Sequence, residues 1–197
     1  LTERARIDRI RLQTARGVSS VRFSRSEQGT AFGWMTQPIP LQHGYGSPSA
    51  LLEALGVPRS TLPIELYDNG PHYVLVGVNS AAELSALRPN LGALQALGSI
   101  AAVVFAPLGL DWKCRVFAPG EGIAEDPATG AAAGALAVHL CRYGHLAFDS
   151  ELRIEQGVEM GRPSLLHARV IGTRDGVSAV EVGGSVVSIG RGEIDLP

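Results

Sequence analysis

The chain has 197 residues, of which 45% are hydrophobic and 18% charged, and a formal charge of −2 at pH 7. That length supports one large domain, or one domain and part of another, without disulfide or metal staples. The near-neutral balance excludes a broad basic surface for nucleic acid or an anionic membrane, and Gly or a charged residue interrupts every apolar run before the ~20 residues of a membrane-crossing helix.

The expected partner is therefore a small molecule or another protein. Cys114 and Cys141 fall in different predicted elements, without the close spacing of a zinc or redox pair. With no leader-like segment in view, they point to a reducing cytoplasm. The sequence opens at Leu1 on a polar, basic stretch from Thr2 to Arg11, which reads as a surface segment feeding a strand; a fragment of a longer chain is expected.

In chain order, residues 8 to 37 hold β-type alternation, as in Ser19-Val21-Phe23 and Phe32-Trp34-Met35, closed by Pro38 and Pro40. His43 to Gly46 reads as a linker. Ser47 and Pro48, followed by Leu51, Leu52 and Leu55 and then Gly56, predict an N-capped helix. Ser80 with Glu83 fits a capping box opening a second helix that Pro89 stops. A third is expected from Leu91 to Leu97. Strand-like runs cover Tyr73 to Val78, Ile100 to Phe105, Cys114 to Phe117, Leu165 to Val170, Val177 to Val182 and Val186 to Ile189. Many strands with few long helices indicate an α+β domain with mixed or antiparallel sheets.

Residues 119 to 144 are the most informative. From Ala131 to Leu140 the segment is apolar on every face, so its helix must be enclosed by other elements. Arg142 in the last turn and Gly144 beyond it suit a helix C-terminus. At the other end, Thr129, Gly130 and Ala131 leave backbone N–H groups at the positive end of the dipole with little side chain over them, a start able to bind a carboxylate or phosphate. Pro127 keeps Asp126 out of helical geometry, so its carboxylate can meet an amine or hydroxyl of the same ligand. The competing reading is that Asp126 or Thr129 only caps the helix.

The string Phe117-Ala118-Pro119, Gly122-Ile123, Glu125-Asp126-Pro127-Ala128-Thr129-Gly130 resembles the signature of the phenazine-biosynthesis PhzF family, and Gln156-Gly157-Val158-Glu159-Met160-Gly161-Arg162-Pro163-Ser164 looks like that family's second C-terminal motif. Met35 to Pro40, Asn69 to His72, Leu84 to Pro89 and Gly190 to Gly192 agree as well. The resemblance implies a diaminopimelate-epimerase-like fold, in which curved sheets each wrap a central helix and the site lies between two halves. On that basis residues 42–185 form a C-terminal barrel around a central helix 130–143, and residues 1–41 with 186–197 are the remnant of an N-terminal barrel.

The resemblance further implies a homodimer with no metal or organic cofactor, and isomerisation of trans-2,3-dihydro-3-hydroxyanthranilate to an aminoketone by acid/base proton transfer. Asp126 would be the catalytic group, and Thr129, Gly130 and Ala131 would bind an anionic substrate. The alternatives are an isomerase or epimerase of another small amino or hydroxy acid, and a catalytically silent binding relative. Two departures bear on the choice. The family's proton-transferring glutamate and a Gly-His pair lie in an N-terminal portion that this sequence does not contain, and Ala131 stands where the family usually has Ser. Glu121, Glu125 and Glu155 have ordinary readings as surface or loop charges. His139 is read as a partly charged imidazole suited to the helix dipole, Cys141 as a small buried hydrophobe, His72 as either structural or functional, and Arg162 as a substrate or loop ligand.

Overall fold

The computed structural model describes residues 8–14, 17–25, 31–186, 190 and 192. Among them twelve strands belong to one sheet: β1 (Arg9–Thr14), β2 (Gly17–Arg25), β3 (Ala31–Gln37), β4 (Leu41–Gly44), β5 (Glu65–Asp68), β6 (His72–Gly77), β7 (Ala101–Leu108), β8 (Asp111–Ala118), β9 (Ile123–Asp126), β10 (Glu151–Gln156), β11 (Ser164–Thr173) and β12 (Gly176–Val186). The order is β1-β2-β3-β12-β11-β10-β8-β7-β6-β5-β4, with β9 paired to β8. Neighbours are antiparallel except β6 with β7 and β10 with β8, which run parallel.

Side chains alternate across the middle strands with the period of two that extended chains impose. Tyr73 and Leu75 of β6, Val103 and Phe105 of β7, and Cys114 and Val116 of β8 join one core, whereas Val74, Val76, Val104 and Phe117 join another. These strands are covered on both faces. The outer cover consists of α1 (Pro48–Leu55), α2 (Ala81–Ala86) and α3 (Leu91–Ala96), which contribute Leu51, Leu55, Leu84 and Leu94.

The inner face of the sheet curves around α4 (Gly130–Arg142), every residue of which from Ala132 to Cys141 is buried. Leu136 and Leu140 meet residues from β5 to β8 and from β10 to β12 in a single cluster. Close approach explains the small residues. A Cβ on Gly134 would lie 2.4 Å from Gln37 Oε1 and 3.0 Å from Val180 Cγ1, so a larger residue there would have to turn the Gln37 carboxamide aside. The α+β class and the enclosed central helix agree with the sequence reading.

Several local expectations shift. Ser47 makes no side-chain cap bond, although Gly56 does end α1 in the left-handed region at φ 70°. Ser80 Oγ accepts from Glu83 N as expected, but Glu83 reaches back to Asn79 N at 3.1 Å instead of to Ser80. His43 lies in edge strand β4, paired with Leu66 of β5, in place of a linker. Val177 to Val186 form one strand, because Gly183 admits the rings of Phe32 and Trp34, which a Cβ would meet at 2.8 and 2.9 Å. The expected strand from Val186 continues through residues 187–189, which lie outside the described residues, as does residue 191 of the final Gly-Arg-Gly. β12 pairs with β3, so strands β1 to β3 extend the same sheet.

His139 is fully buried on α4, against Tyr67, Phe105 and Tyr143. Tyr67 Oη donates to Glu65 Oε2 at 3.0 Å and lies 3.1 Å from His139 Nδ1, which leaves Nδ1–H to donate to it. Burial pushes the imidazole down to about 4, with Glu65 opposing. The residue is therefore neutral, and its place at the helix end does not rest on a charge–dipole attraction. A folded-state value below the unfolded 6.5 means that the unfolded chain takes up the proton first, so stability falls as pH drops from about 6.5 towards 4. By pH 5 the loss from this group reaches about 2 kcal/mol. Urea midpoints at pH 7 and pH 5 should fall more steeply for the parent than for His139→Gln; equal slopes would show that the imidazole charges in place.

Candidate active site

β9 runs antiparallel to β8 with Asp126 opposite Val116, and Pro127 turns the chain towards α4. Thr129 is the N-cap residue, at φ −110° and ψ 84°, and makes no side-chain cap bond. The helical ladder opens with Ala133 N donating to Thr129 O at 3.1 Å. The N–H groups of Gly130, Ala131 and Ala132 therefore precede the first intrahelical bond, as at any helix start. A Cβ on Gly130 would meet nothing within 4 Å, so no neighbour packs where its side chain would stand.

The Asp126 turn is held from β10. Gln156, fully buried, donates through Nε2 to Asp126 O at 2.6 Å and to Thr129 Oγ1 at 3.0 Å. Its Oε1 accepts from Thr129 N at 3.0 Å and from Cys114 Sγ at 3.6 Å. Thr129 Oγ1 in turn lies 2.6 Å from Asp126 Oδ2. Gly157 follows at φ 81°, and a Cβ there would come 2.3 Å from Arg162 O and 2.6 Å from Pro127 O. The second sequence motif is thus packed backbone to backbone against the first.

From the other side, Asn69 Nδ2 donates to Ala131 O at 3.1 Å, which ties the Asn69-Gly70 turn to the first turn of α4. Tyr73 lies in the same region, buried, and its phenol is pushed up to about 12 by burial, with the Asp126 charge adding to the effect. It remains protonated near neutral pH. Asp126 has no ion pair among the described residues and is half-buried. The assembly thus offers backbone donors for an anion and a carboxylate whose Oδ1 carries no described hydrogen bond.

The remaining candidates are placed elsewhere or otherwise engaged. Glu125 makes a two-pronged ion pair with Arg115, at 2.9 Å for both bonds. Glu121 is exposed and bonded to Ser99, and Glu155 lies 3.7 Å from Lys113. His72 is exposed, 3.7 Å from Asp68; its neighbour Asn69 is the residue that reaches α4. Cys141 is buried, and its thiol is pushed up to about 11 by desolvation. Arg162 closes the turn through its backbone, N to Gly157 O at 2.9 Å. Gln156, Asn69 and Tyr73 are the site residues missed by sequence reasoning. For Gln156 a signal existed: Leu152, Ile154 and Gln156 alternate onto the inward face of β10.

Among the described residues no group of three or more His, Cys, Asp or Glu is placed to hold a metal ion, and no helix is long and apolar enough to cross a membrane. Two cavities lie away from the helix start. One of about 320 Å³ sits at the C-terminal end of α4 between Gln42, Arg142, Phe148 and Arg174, and one of about 220 Å³ lies beside Leu87 and Arg115.

Fold and site together define an α+β protein of the diaminopimelate-epimerase-like class, with a carboxylate beside the start of its central helix. Similar architectures occur in a PhzF-family phenazine biosynthesis protein from Bacillus anthracis (TM-score 0.77, 20% identity, 90% of this chain and 65% of that one), and in a predicted epimerase from Pseudomonas aeruginosa (TM-score 0.75, 27% identity, 99% and 70%). The family described as "Phenazine biosynthesis-like protein" matches residues 1–192. Over 188 residues the chain is 45% identical to the trans-2,3-dihydro-3-hydroxyanthranilate isomerase of Pseudomonas chlororaphis, a match that covers 95% of this chain and 68% of that relative. The chain belongs to the PhzF phenazine-biosynthesis family.

Proposed function

We propose that this protein is a cofactor-independent isomerase of phenazine biosynthesis that converts trans-2,3-dihydro-3-hydroxyanthranilate to an aminoketone by moving a proton from one ring carbon to another. The observation that carries the reading is the Asp126 carboxylate beside the N–H groups of Gly130 and Ala131, which precede the first bond of the helical ladder. The name of the 45% identical relative supplies the substrate.

The site suits a ligand that combines a carboxylate with a neighbouring amine. The N–H groups of Gly130 and Ala131 hold the carboxylate, Asp126 Oδ1 meets the amine or hydroxyl, and the neutral Tyr73 phenol is an available donor. Loss of a C–H proton builds negative charge on the ring system, and donors fixed in advance stabilise that charge without reorganising. The general base is assigned to the segment that precedes this stretch in the family, so the chain contributes one half of the site; residues 42–185 form that half, and residues 1–41 with 186–197 belong to its companion. The protein acts as a homodimer in the cytoplasm and needs no metal.

Ala131 supports a second reading, an isomerase of another small amino or hydroxy acid, because the family's usual serine hydroxyl is absent there. The full-length gene product, incubated with trans-2,3-dihydro-3-hydroxyanthranilate in D₂O, should consume it and place deuterium on a ring carbon. Absence of turnover by folded protein would rule out this substrate and favour the second reading.

A further inference from the structure

The hydrogen bonds around Thr129 have a direction. Gln156 Nε2 can only donate, so at 3.0 Å it makes Thr129 Oγ1 an acceptor, and the single hydroxyl hydrogen is left for Asp126 Oδ2, 2.6 Å away. The amide of Gln156 cannot be reversed without facing its NH₂ towards the Thr129 N–H and its oxygen towards Asp126 O. Donor order is thus set by a fully buried group and passed outward, through one hydroxyl, to a half-buried carboxylate.

We infer that Gln156 and Thr129 are positioning residues that fix the Asp126 side chain in one orientation, with Oδ2 occupied by the Thr129 hydroxyl and Oδ1 presented to the ligand. The inference rests on the proposed role of Asp126. It also reassigns Thr129, whose hydroxyl is spent on Asp126 and neither caps α4 nor remains free for substrate. Cys114 contributes through the thiol donated to Gln156 Oε1, and its own pKa is raised by burial, so it stays a neutral donor. An ordinary helix cap would look different: the hydroxyl would accept from the N–H of the second or third helical residue.

The test uses Thr129→Val, which keeps the shape and removes the hydroxyl, together with Thr129→Ser and Gln156→Met, in the full-length gene product. Thr129→Val should lower kcat about 10- to 100-fold, the loss of one hydrogen bond to a charged group, with KM nearly unchanged. Thr129→Ser should behave like the parent. In an Asp126→Asn background, Thr129→Val should have no further effect on residual turnover, because its only route to the chemistry is through Asp126. Side-chain couplings of Asp126, read by NMR, should report one χ1 rotamer in the parent and averaging in both Thr129→Val and Gln156→Met.

A Thr129→Val variant that keeps the parent's kcat, or loses as much again in the Asp126→Asn background, overturns the inference. A lowered melting temperature with kcat per folded molecule unchanged does the same, since that is what a purely structural threonine would give. If Gln156→Met does not fold, the Thr129 variants still decide. If the parent does not turn over the substrate, the proposed function fails, and the χ1 couplings alone decide the positioning: averaging in Thr129→Val sustains it, and a single unchanged rotamer removes it.

Discussion

Asp126→Asn is expected to lower kcat in the full-length gene product by about 10²- to 10⁴-fold, the range that a positioned acid or base contributes. Asparagine keeps the shape, the place at the end of β9 and a partner for the Thr129 hydroxyl, so the turn into α4 survives. What is lost is the charge and the ability to pass a proton. The anion end of the ligand is held by backbone N–H groups of Gly130 and Ala131, which the substitution does not touch, but with the asparagine oxygen taken by the Thr129 hydroxyl its NH₂ faces the ligand's amine or hydroxyl, so ligand affinity should fall too, by less than kcat. Steady-state kinetics and a separate binding measurement by calorimetry distinguish the two effects. Unchanged turnover would leave Asp126 as a structural residue. A large loss of affinity with kcat intact would make it a binding group only.

The chain's legibility followed the range of the interactions involved. The central helix could be read because its signals are local: an uninterrupted small and apolar run cannot lie on a surface, and Pro127 fixes where Asp126 leaves the strand. The middle strands were legible for the same reason. The bond from Gln156 to Asp126 and Thr129 spans about thirty residues of sequence, and no periodicity announces a partner at that distance. Asn69 reaches Ala131 across a gap about twice as long. The dipole argument for His139 failed because burial outweighs the field of the helix end; an exposed imidazole at the same position would have obeyed it. The runs Val177 to Val182 and Val186 to Ile189 read as separate strands, whereas β12 continues through Gly183, where the rings of Phe32 and Trp34 come close.

The two motifs are physically one unit, and Gly157 is where this is most exposed to test. At φ 81° an alanine pays the left-handed penalty of about 1–2 kcal/mol wherever it sits. Here its Cβ would also be driven to 2.3 Å from Arg162 O and 2.6 Å from Pro127 O, both backbone atoms that cannot rotate away. Relief requires the Arg162 turn or the Asp126-Pro127 turn to move, and the second movement breaks the Gln156 bonds. Gly157→Ala should therefore destabilise the fold by roughly 3 kcal/mol or more, on the order of 10 °C in Tm, and reduce turnover beyond the loss of folded protein. Gly161→Ala is the control: its φ is 67°, but a Cβ there meets nothing within 4 Å, so it carries the backbone penalty without the clash. Equal shifts in Tm for the two variants, with equal residual turnover, would mean that the loop carrying the second motif yields freely and that contact with Pro127 does not hold the site in place. A gap between them, with turnover following the larger shift, would tie the placement of Asp126 to a glycine thirty-one residues away.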